Sequence, residues 1–396
     1  MTRDYIKTFD IGNRKIIYNY TNGTTFELNS TVYDMIKNCE SKEQLLELAS
    51  SKSDSDKSFL ESLANTIEEK NLLKDCTRNK VSEITYIVTE KCNLSCKHCC
   101  MSAKPYKKEV DGEVKMSREI LEKILEFEPQ AIVITGGEPL LASNFIESLI
   151  WLRNNYKNKI ILSTNAILID ENNAKIIADN TDIIDISLDG TTEEKSDYIR
   201  GKGTFKKVMN AVKMLNDACA KKIRLSNALP REESENLEEY SKLCQQIGVE
   251  AIVRDMTPTG RALENNLSCK DPLKSFLDSM NINPNICGAG TTMISIIKNG
   301  DVFPCNNFSD EEFKIGNILD DNFPNVLSEY RKKLGQTNFA KYFSRYRPEC
   351  VDCEVSQYCW TCPFEIKLIE DYKNIKNLTD ICSAKKSRML KAFENE

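Results

Sequence analysis

The sequence predicts an α/β protein in three parts: a small N-terminal unit, a partial (β/α)6 TIM-like barrel and a loop-rich C-terminal region. Three observations predict it. From residue 84 short apolar strand patterns alternate with helical ones, as when crossover helices cover both faces of a parallel sheet. Before them a hairpin signal is followed by three helical patterns. After about residue 265 long apolar runs give way to loops and seven spaced cysteines.

The N-terminal unit, residues 1–76, places "KIIYNY" and "TFELN" around "TNGT", where Asn22-Gly23 is a hairpin-turn signal. "TVYDMIKNC", "SKEQLLELAS" and "DKSFLESLANTIEEKNLL" read as helices, so the unit is winged-helix-like and carries no catalytic constellation. The second part, 77–264, has strand patterns at 84–89, 131–135, 159–164, 182–188, 222–228 and 250–256. Helical patterns at 117–128, 144–156, 170–179, 204–219 and 235–247 separate them. Six strands suit a partial barrel, and periodicity alone leaves an open doubly wound sheet as the alternative. Both put the site at the C-terminal strand ends. In the third part, 265–396, "SIIKNGDVFPC" reads as a hairpin around Asn299-Gly300, and bound metal is expected to supply part of the folding energy.

At 396 residues the chain can bury two or three cores. Net charge is −6 with basic residues scattered, which argues against nucleic acid. No apolar run is long enough to cross a bilayer, and the first residues lack a signal-peptide core, so a cytoplasmic enzyme without membrane contact is expected. Sixteen cysteines in that setting point to metal or redox chemistry rather than disulfides. Cys39, Cys76, Cys100, Cys219, Cys244 and Cys269 stand alone, and the rest form two sets.

The first set is Cys92, Cys96 and Cys99 in "EKCNLSCKHCCM", directly after the first barrel strand. Its C-x3-C-x2-C loop can hold a 4Fe–4S cluster with one iron open, while zinc remains the competitor and wants four closed ligands. Cys100, adjacent to Cys99, would chelate poorly with it. This loop resembles the radical S-adenosylmethionine superfamily. There the residue before the third cysteine is an aromatic that packs beside the adenine, a place taken here by His98, the chain's only histidine. "ITGGEPLL" ends the second strand, and the resemblance implies that Gly136, Gly137 and Glu138 meet the methionine amino group. In "ISLDG" and "YIRGKGTF" it implies that Ser187 and Arg200 contact the cofactor. "PTGRA" at 258–262 also matches the family's barrel end, with no role assigned.

The second set runs Cys287, Gly300, Cys305, Cys350-x2-Cys353-x5-Cys359-x2-Cys362 and Cys382. Its CxxC pairs alone suit a zinc knuckle equally. After such a barrel the series resembles the SPASM extension, which implies two auxiliary 4Fe–4S clusters and so three in all. By that resemblance Cys350, Cys353, Cys359 and Cys382 hold the outer cluster, and Cys287, Cys305 and Cys362 the inner. The Cys359–Cys362 interval is one residue short of the family spacing, and seven thiols leave one place for Cys269, another group or substrate.

The resemblance implies reductive cleavage of S-adenosylmethionine and hydrogen abstraction by a 5′-deoxyadenosyl radical, fed by a reductant such as ferredoxin or flavodoxin. The N-terminal unit resembles the PqqD-like element of maturases that act on ribosomally made peptides, which binds a leader as an added strand. Together these imply a precursor-peptide maturase, with a thioether from a cysteine thiol to a peptide carbon as the favoured product. Carbon–carbon crosslinking, epimerisation and formylglycine formation in sulfatase maturation are the alternatives. A non-enzymatic iron–sulfur electron carrier would not need GGEP or an open-iron loop. No general acid–base pair is identifiable from spacing.

Overall fold

The computed structural model describes residues 6–11, 14–19, 24–73, 81–107, 109, 112–229, 237–256, 258–267, 277, 287–343, 346–351, 353, 355–359, 362–373 and 379–394. Its contacts divide the chain into two compact units. One comprises Lys80–Pro272 with Ala289–Tyr330, and the other Met1–Asn79, Leu273–Gly288 and Arg331–Glu396.

In the second of these units, β1 (Ile6–Ile11), β2 (Arg14–Asn19) and β3 (Thr25–Asn29) form an antiparallel sheet in the order β1-β2-β3. The predicted β2–β3 hairpin is present, with an additional strand before it, and Asn22-Gly23 lies outside the described residues. Helices α1 (Ser30–Ile36), α2 (Lys42–Ser50) and α3 (Asp54–Glu69) follow. Each has a capped N-terminus: Asn29, Ser41 and Ser53 accept from backbone N–H groups of the first turn. Their apolar stripes bury Ile36, Leu45, Leu60 and Ile67 against Ile17 and Leu28 of the sheet.

The other unit is the barrel. Strands β4 (Glu83–Ile87), β5 (Ala131–Thr135), β6 (Lys159–Thr164), β7 (Ile183–Ser187), β8 (Ile223–Leu229) and β9 (Glu250–Asp255) pair in parallel in chain order. Helices α4 (Arg118–Glu126), α5 (Phe145–Asn155), α6 (Ala174–Asn180), α7 (Glu193–Arg200), α8 (Thr204–Asp217) and α9 (Leu237–Gln246) connect them. Among these six strands the order never reverses, which fits the partial barrel rather than a doubly wound sheet with a switch point among them.

The period-2 alternation explains the layering. Tyr86, Ile134, Leu162, Ile186 and Leu225 are all fully buried, packing in one core with Ile124, Leu149, Ile177 and Leu215 of the helices. Each such side chain contributes about 1.5–3 kcal/mol. The alternate positions Thr85, Val133, Ser163, Ser187 and Ser226 stay half-buried on the opposite face, which is therefore partly polar.

The sheet continues past β4. Strand β10 (Met293–Ile297) pairs with β4 in parallel, and β11 (Asp301–Phe303) and β12 (Gly316–Asn317) follow antiparallel, giving nine strands in a mixed sheet. The β10–β11 turn is the expected Asn299-Gly300 hairpin, and Gly300 takes φ +88°, where a side chain would be strained. Helix α10 (Arg261–Glu264) follows β9, and α11 (Phe323–Lys332) follows β12. The remaining helices are α12 (Pro348–Val351), α13 (Ser356–Cys359), α14 (Pro363–Lys373) and α15 (Thr379–Glu394). No helix among the described residues is long and apolar enough to cross a membrane.

Candidate active site and cluster-binding cysteines

The first cysteine loop leaves the C-terminal end of β4 and is held by the ends of its neighbours. Gly137 N–H donates to the Thr89 carbonyl at 2.7 Å and Glu138 N–H to the Lys91 carbonyl at 2.9 Å. A Cβ on Gly136 would stand 2.6 Å from the Thr89 carbonyl oxygen, and one on Gly137 would overlap the Lys91 backbone. The two glycines therefore let β5 lie against the backbone that leads into the loop.

Cys92 and Cys96 are buried and Cys99 partly so. Donors surround their sulfurs: Leu94 N–H at 3.4 Å and Asn165 Nδ2 at 3.6 Å from Cys92, Ala103 N–H at 3.3 Å from Cys99, and Arg200 Nη1 at 3.9 Å from Cys96. Burial pushes the Cys92 thiol up to about 11, the Leu94 N–H opposing this and Glu138, Cys96 and Cys99 adding to it. Burial raises the Cys92 and Cys96 thiols and Cys99 adds to both, so with N–H groups around the sulfurs the three form a donor set that a bound cationic cluster would relieve. Among the described residues no three Cys, His, Asp or Glu side chains converge closely enough to hold a single metal ion. Three thiols with N–H donors at their sulfurs suit a 4Fe–4S cluster. Cys100 is exposed.

Glu138 is 1% exposed and fully engaged. It accepts from Thr164 Oγ1 at 2.7 Å, Asn165 N–H at 2.8 Å and Leu140 N–H at 3.1 Å. Burial raises its carboxyl to about 7 against these three donors. Asn165 also donates to Asn93 Oδ1 at 2.8 Å, which links β6 to the cysteine loop.

His98 and Arg200 meet on one carboxylate. His98 Nε2 lies 2.8 Å and Arg200 Nε 2.6 Å from Asp189 Oδ2, and Ala228 N–H donates to Asp189 Oδ1 at 2.8 Å. Despite full burial, the Arg200 charge, with the His98 ring and the Ala228 N–H beside it, holds the Asp189 carboxyl below the usual carboxylate range. Such a buried pair orients its members strongly, because breaking it leaves an uncompensated charge. Ser187 ends β7 half-buried, opposite Ser226 of β8.

The loop after β9 closes the group. Arg261 donates to the Cys96 carbonyl at 2.9 Å and the Ala103 carbonyl at 2.7 Å, and its own N–H reaches the Cys99 carbonyl at 3.1 Å. Gly260, at φ +53°, fits where a Cβ would lie 2.5 Å from the Cys100 and 2.6 Å from the Cys99 carbonyl oxygens. This gives "PTGRA" its role as a strap over the cysteine loop. Asp189, Asn165 and Arg261 are the site residues that sequence reasoning missed. Asp189 lay within the quoted "ISLDG" and Arg261 within "PTGRA".

The barrel residues thus form one cluster at the strand ends. The Radical SAM superfamily profile matches residues 86–244 and that of the SPASM iron-sulfur cluster-binding domain matches 287–363. The chain carries a radical SAM domain followed by a SPASM domain. As a radical SAM enzyme it uses S-adenosylmethionine and 4Fe–4S clusters. It is 27% identical to the mycofactocin maturase MftC of Mycolicibacterium smegmatis over 288 residues, 65% of this chain and 73% of that one. Among solved structures, Streptococcus suis SuiB bound to precursor peptide SuiA aligns with TM-score 0.54 and 17% identity, covering 90% of this chain and 93% of SuiB. Native anSMEcpe with bound AdoMet and Cp18Cys peptide aligns with TM-score 0.52 and 17% identity, covering 80% of this chain and all of that one.

The SPASM cysteines are grouped in part. Cys359 sits with Cys382, Cys350 and Cys353: burial raises its thiol most, their proximity raises it further, and Lys385 opposes. Cys362 is raised to about 11, chiefly by burial, with the Phe364 N–H opposing and Cys287 adding. Cys305 lies in the barrel's compact unit and Cys287 and Cys362 in the other. Cys76 and Cys269 lie outside the described residues.

Proposed function

We propose that this radical SAM enzyme matures a ribosomally made precursor peptide, joining a cysteine thiol to a peptide carbon as a thioether. The observation that carries the reading is the convergence of Cys92, Cys96 and Cys99 with His98, Glu138 and the Asp189–Arg200 pair at the strand ends. When bound, the cluster and S-adenosylmethionine supply the radical that removes a hydrogen atom from the substrate.

The chain's own residues then have distinct tasks. Cys92, Cys96 and Cys99 hold the first cluster and leave one iron for the cofactor. Arg200, fixed by Asp189, offers a cation to the cofactor carboxylate, while Ser187, Gly136, Gly137 and Glu138 line the methionine end. His98, oriented through Nε2, packs beside the adenine. Cys350, Cys353, Cys359 and Cys382 hold an outer cluster and Cys287, Cys305 and Cys362 an inner one, which makes three clusters. The inner set is one thiol short, and that supports a substrate cysteine as its last ligand and the thioether as product.

Residues 1–76 act as a PqqD-like leader-binding domain beside a barrel (77–264) and a SPASM domain (265–396). Among the described residues the order β1-β2-β3 puts β1 and β3 at the sheet edges, which supports addition of a peptide strand there. Similarity to SuiB bound to its precursor peptide extends over 90% of the chain and that to peptide-bound anSMEcpe over 80%, and both support a peptide substrate. Tethering a leader raises the effective concentration of the peptide to be modified. A ferredoxin or flavodoxin in the reducing cytoplasm would supply electrons.

Anaerobic incubation with S-adenosylmethionine, reductant and the candidate peptide tests the reading by mass spectrometry. A two-hydrogen mass loss with no alkylatable thiol is expected. A mass loss that leaves every cysteine alkylatable would replace the thioether with a carbon–carbon bond.

A further inference from the structure

We propose that Asn165 sets the reduction potential of the first cluster through a hydrogen bond from its side-chain amide to the sulfur of Cys92. The proposal rests on Cys92, Cys96 and Cys99 being that cluster's ligands. Asn165 directly follows β6 at the C-terminal strand ends and is 6% exposed. Its backbone N–H donates to Glu138 Oε2 at 2.8 Å, and its Oδ1 accepts from the Ile167 N–H at 3.0 Å. The Nδ2 hydrogens are left for the cysteine loop: Nδ2 lies 2.8 Å from Asn93 Oδ1 and 3.6 Å from Cys92 Sγ. A flipped amide would set oxygen against the Asn93 oxygen and lose the bond from Ile167. An N–H therefore faces the sulfur, and its orientation is fixed from both ends of the amide.

The donors at the three sulfurs are not equivalent. Leu94 and Ala103 donate from the backbone, and Arg200 carries a charge already held by Asp189. Among the described residues Asn165 is the neutral side chain that donates to this set. An electron taken up by a cluster adds negative charge that spreads onto its sulfurs. An N–H aimed at a thiolate stabilises that reduced form more than the oxidised one. Asn93 Oδ1, 3.7 Å from the same sulfur, is the opposing dipole, and the bond from Asn165 partly saturates it. Asn165 thus raises the potential and brings the cluster within reach of a low-potential electron carrier. It gives up neither proton nor electron itself.

The test is a dithionite titration, followed by electron paramagnetic resonance, of anaerobically reconstituted full-length enzyme, reading the signal that added S-adenosylmethionine perturbs. Wild type is compared with Asn165→Leu, Asn165→Asp and Asn173→Ala. Asn173 makes two side-chain hydrogen bonds in the same loop, to the Asp170 N–H and the Leu168 carbonyl, and none to a sulfur. Asn165→Leu keeps the volume and loses the donor. Its reduced-to-oxidised ratio at a fixed potential should fall about three- to ten-fold, the larger figure being a downward shift of about 59 mV for one electron. Asn165→Asp retains the acceptor for Ile167 and should shift in the same direction, while Asn173→Ala should leave the midpoint in place. An unchanged midpoint in Asn165→Leu, or an equal shift in Asn173→Ala, overturns the assignment. So does loss of the first cluster's iron from both Asn165 variants, because the amide would then serve assembly. If no signal in wild type responds to S-adenosylmethionine, the ligand reading beneath the proposal fails instead.

Discussion

The two cysteine regions are built by opposite strategies. The barrel loop is fixed by protein groups: Gly136 and Gly137 beneath it, Arg261 across it, and N–H donors at its sulfurs. Of the four thiols grouped around Cys359 in the SPASM region, Cys350 sits on α12 and Cys359 on α13, helices of four residues each, Cys353 lies between them and Cys382 is on α15. Helices that short do not persist in water unaided, so this region depends on what its cysteines bind. A scaffold that must leave a coordination position open is prebuilt, whereas one that only encloses its cluster can let the metal organise it.

Metal removal is the strongest test of that contrast. Chelating iron anaerobically should collapse hydrogen-exchange protection across residues 346–394 while β4–β9 stay protected, and equal loss in both regions would erase the distinction. Cys96→Ala comes next: deoxyadenosine formation should fall by at least about a hundred-fold, measured by chromatography. Cys359→Ala should retain uncoupled cleavage of S-adenosylmethionine yet yield no modified peptide. Wild-type product from that variant would remove the auxiliary role.

Smaller effects sharpen the comparison. Gly137→Ala drives a methyl into the Lys91 backbone and should cost about 1–3 kcal/mol, read as a lower Tm together with lost iron from the first cluster. Arg261→Ala leaves two carbonyls without their donor and should cost about 1–3 kcal/mol. Arg261→Lys should recover only part of this, because one ammonium cannot reproduce the planar fork. If lysine restores full stability, the strap works through charge alone.

Much of the barrel was legible because each strand carries an apolar face packed against the helices and the helices carry apolar stripes. Helix α7 escaped because only Ser196 of "EEKSDYIR" is buried, so no apolar period exists to read. Strand β1 escaped because "IKTFDI" mixes apolar and polar residues on both faces. The cysteine loops and GGE were legible as spacing. The Asp189 pairing was not, since it joins a carboxylate after β7 to Arg200 at the end of α7 and to His98 in the loop after β4, which only the folded barrel brings together. His98 likewise revealed its position in the motif but not its carboxylate partner.

The strap formed by Gly260 and Arg261 also bears on biosynthesis. The cysteine loop leaves the ribosome long before residue 261 is made, yet three of its carbonyls wait for that arginine. A nascent chain therefore cannot finish its first iron site during early elongation. That closure waits until the segment after β9 has emerged and folded back across the loop.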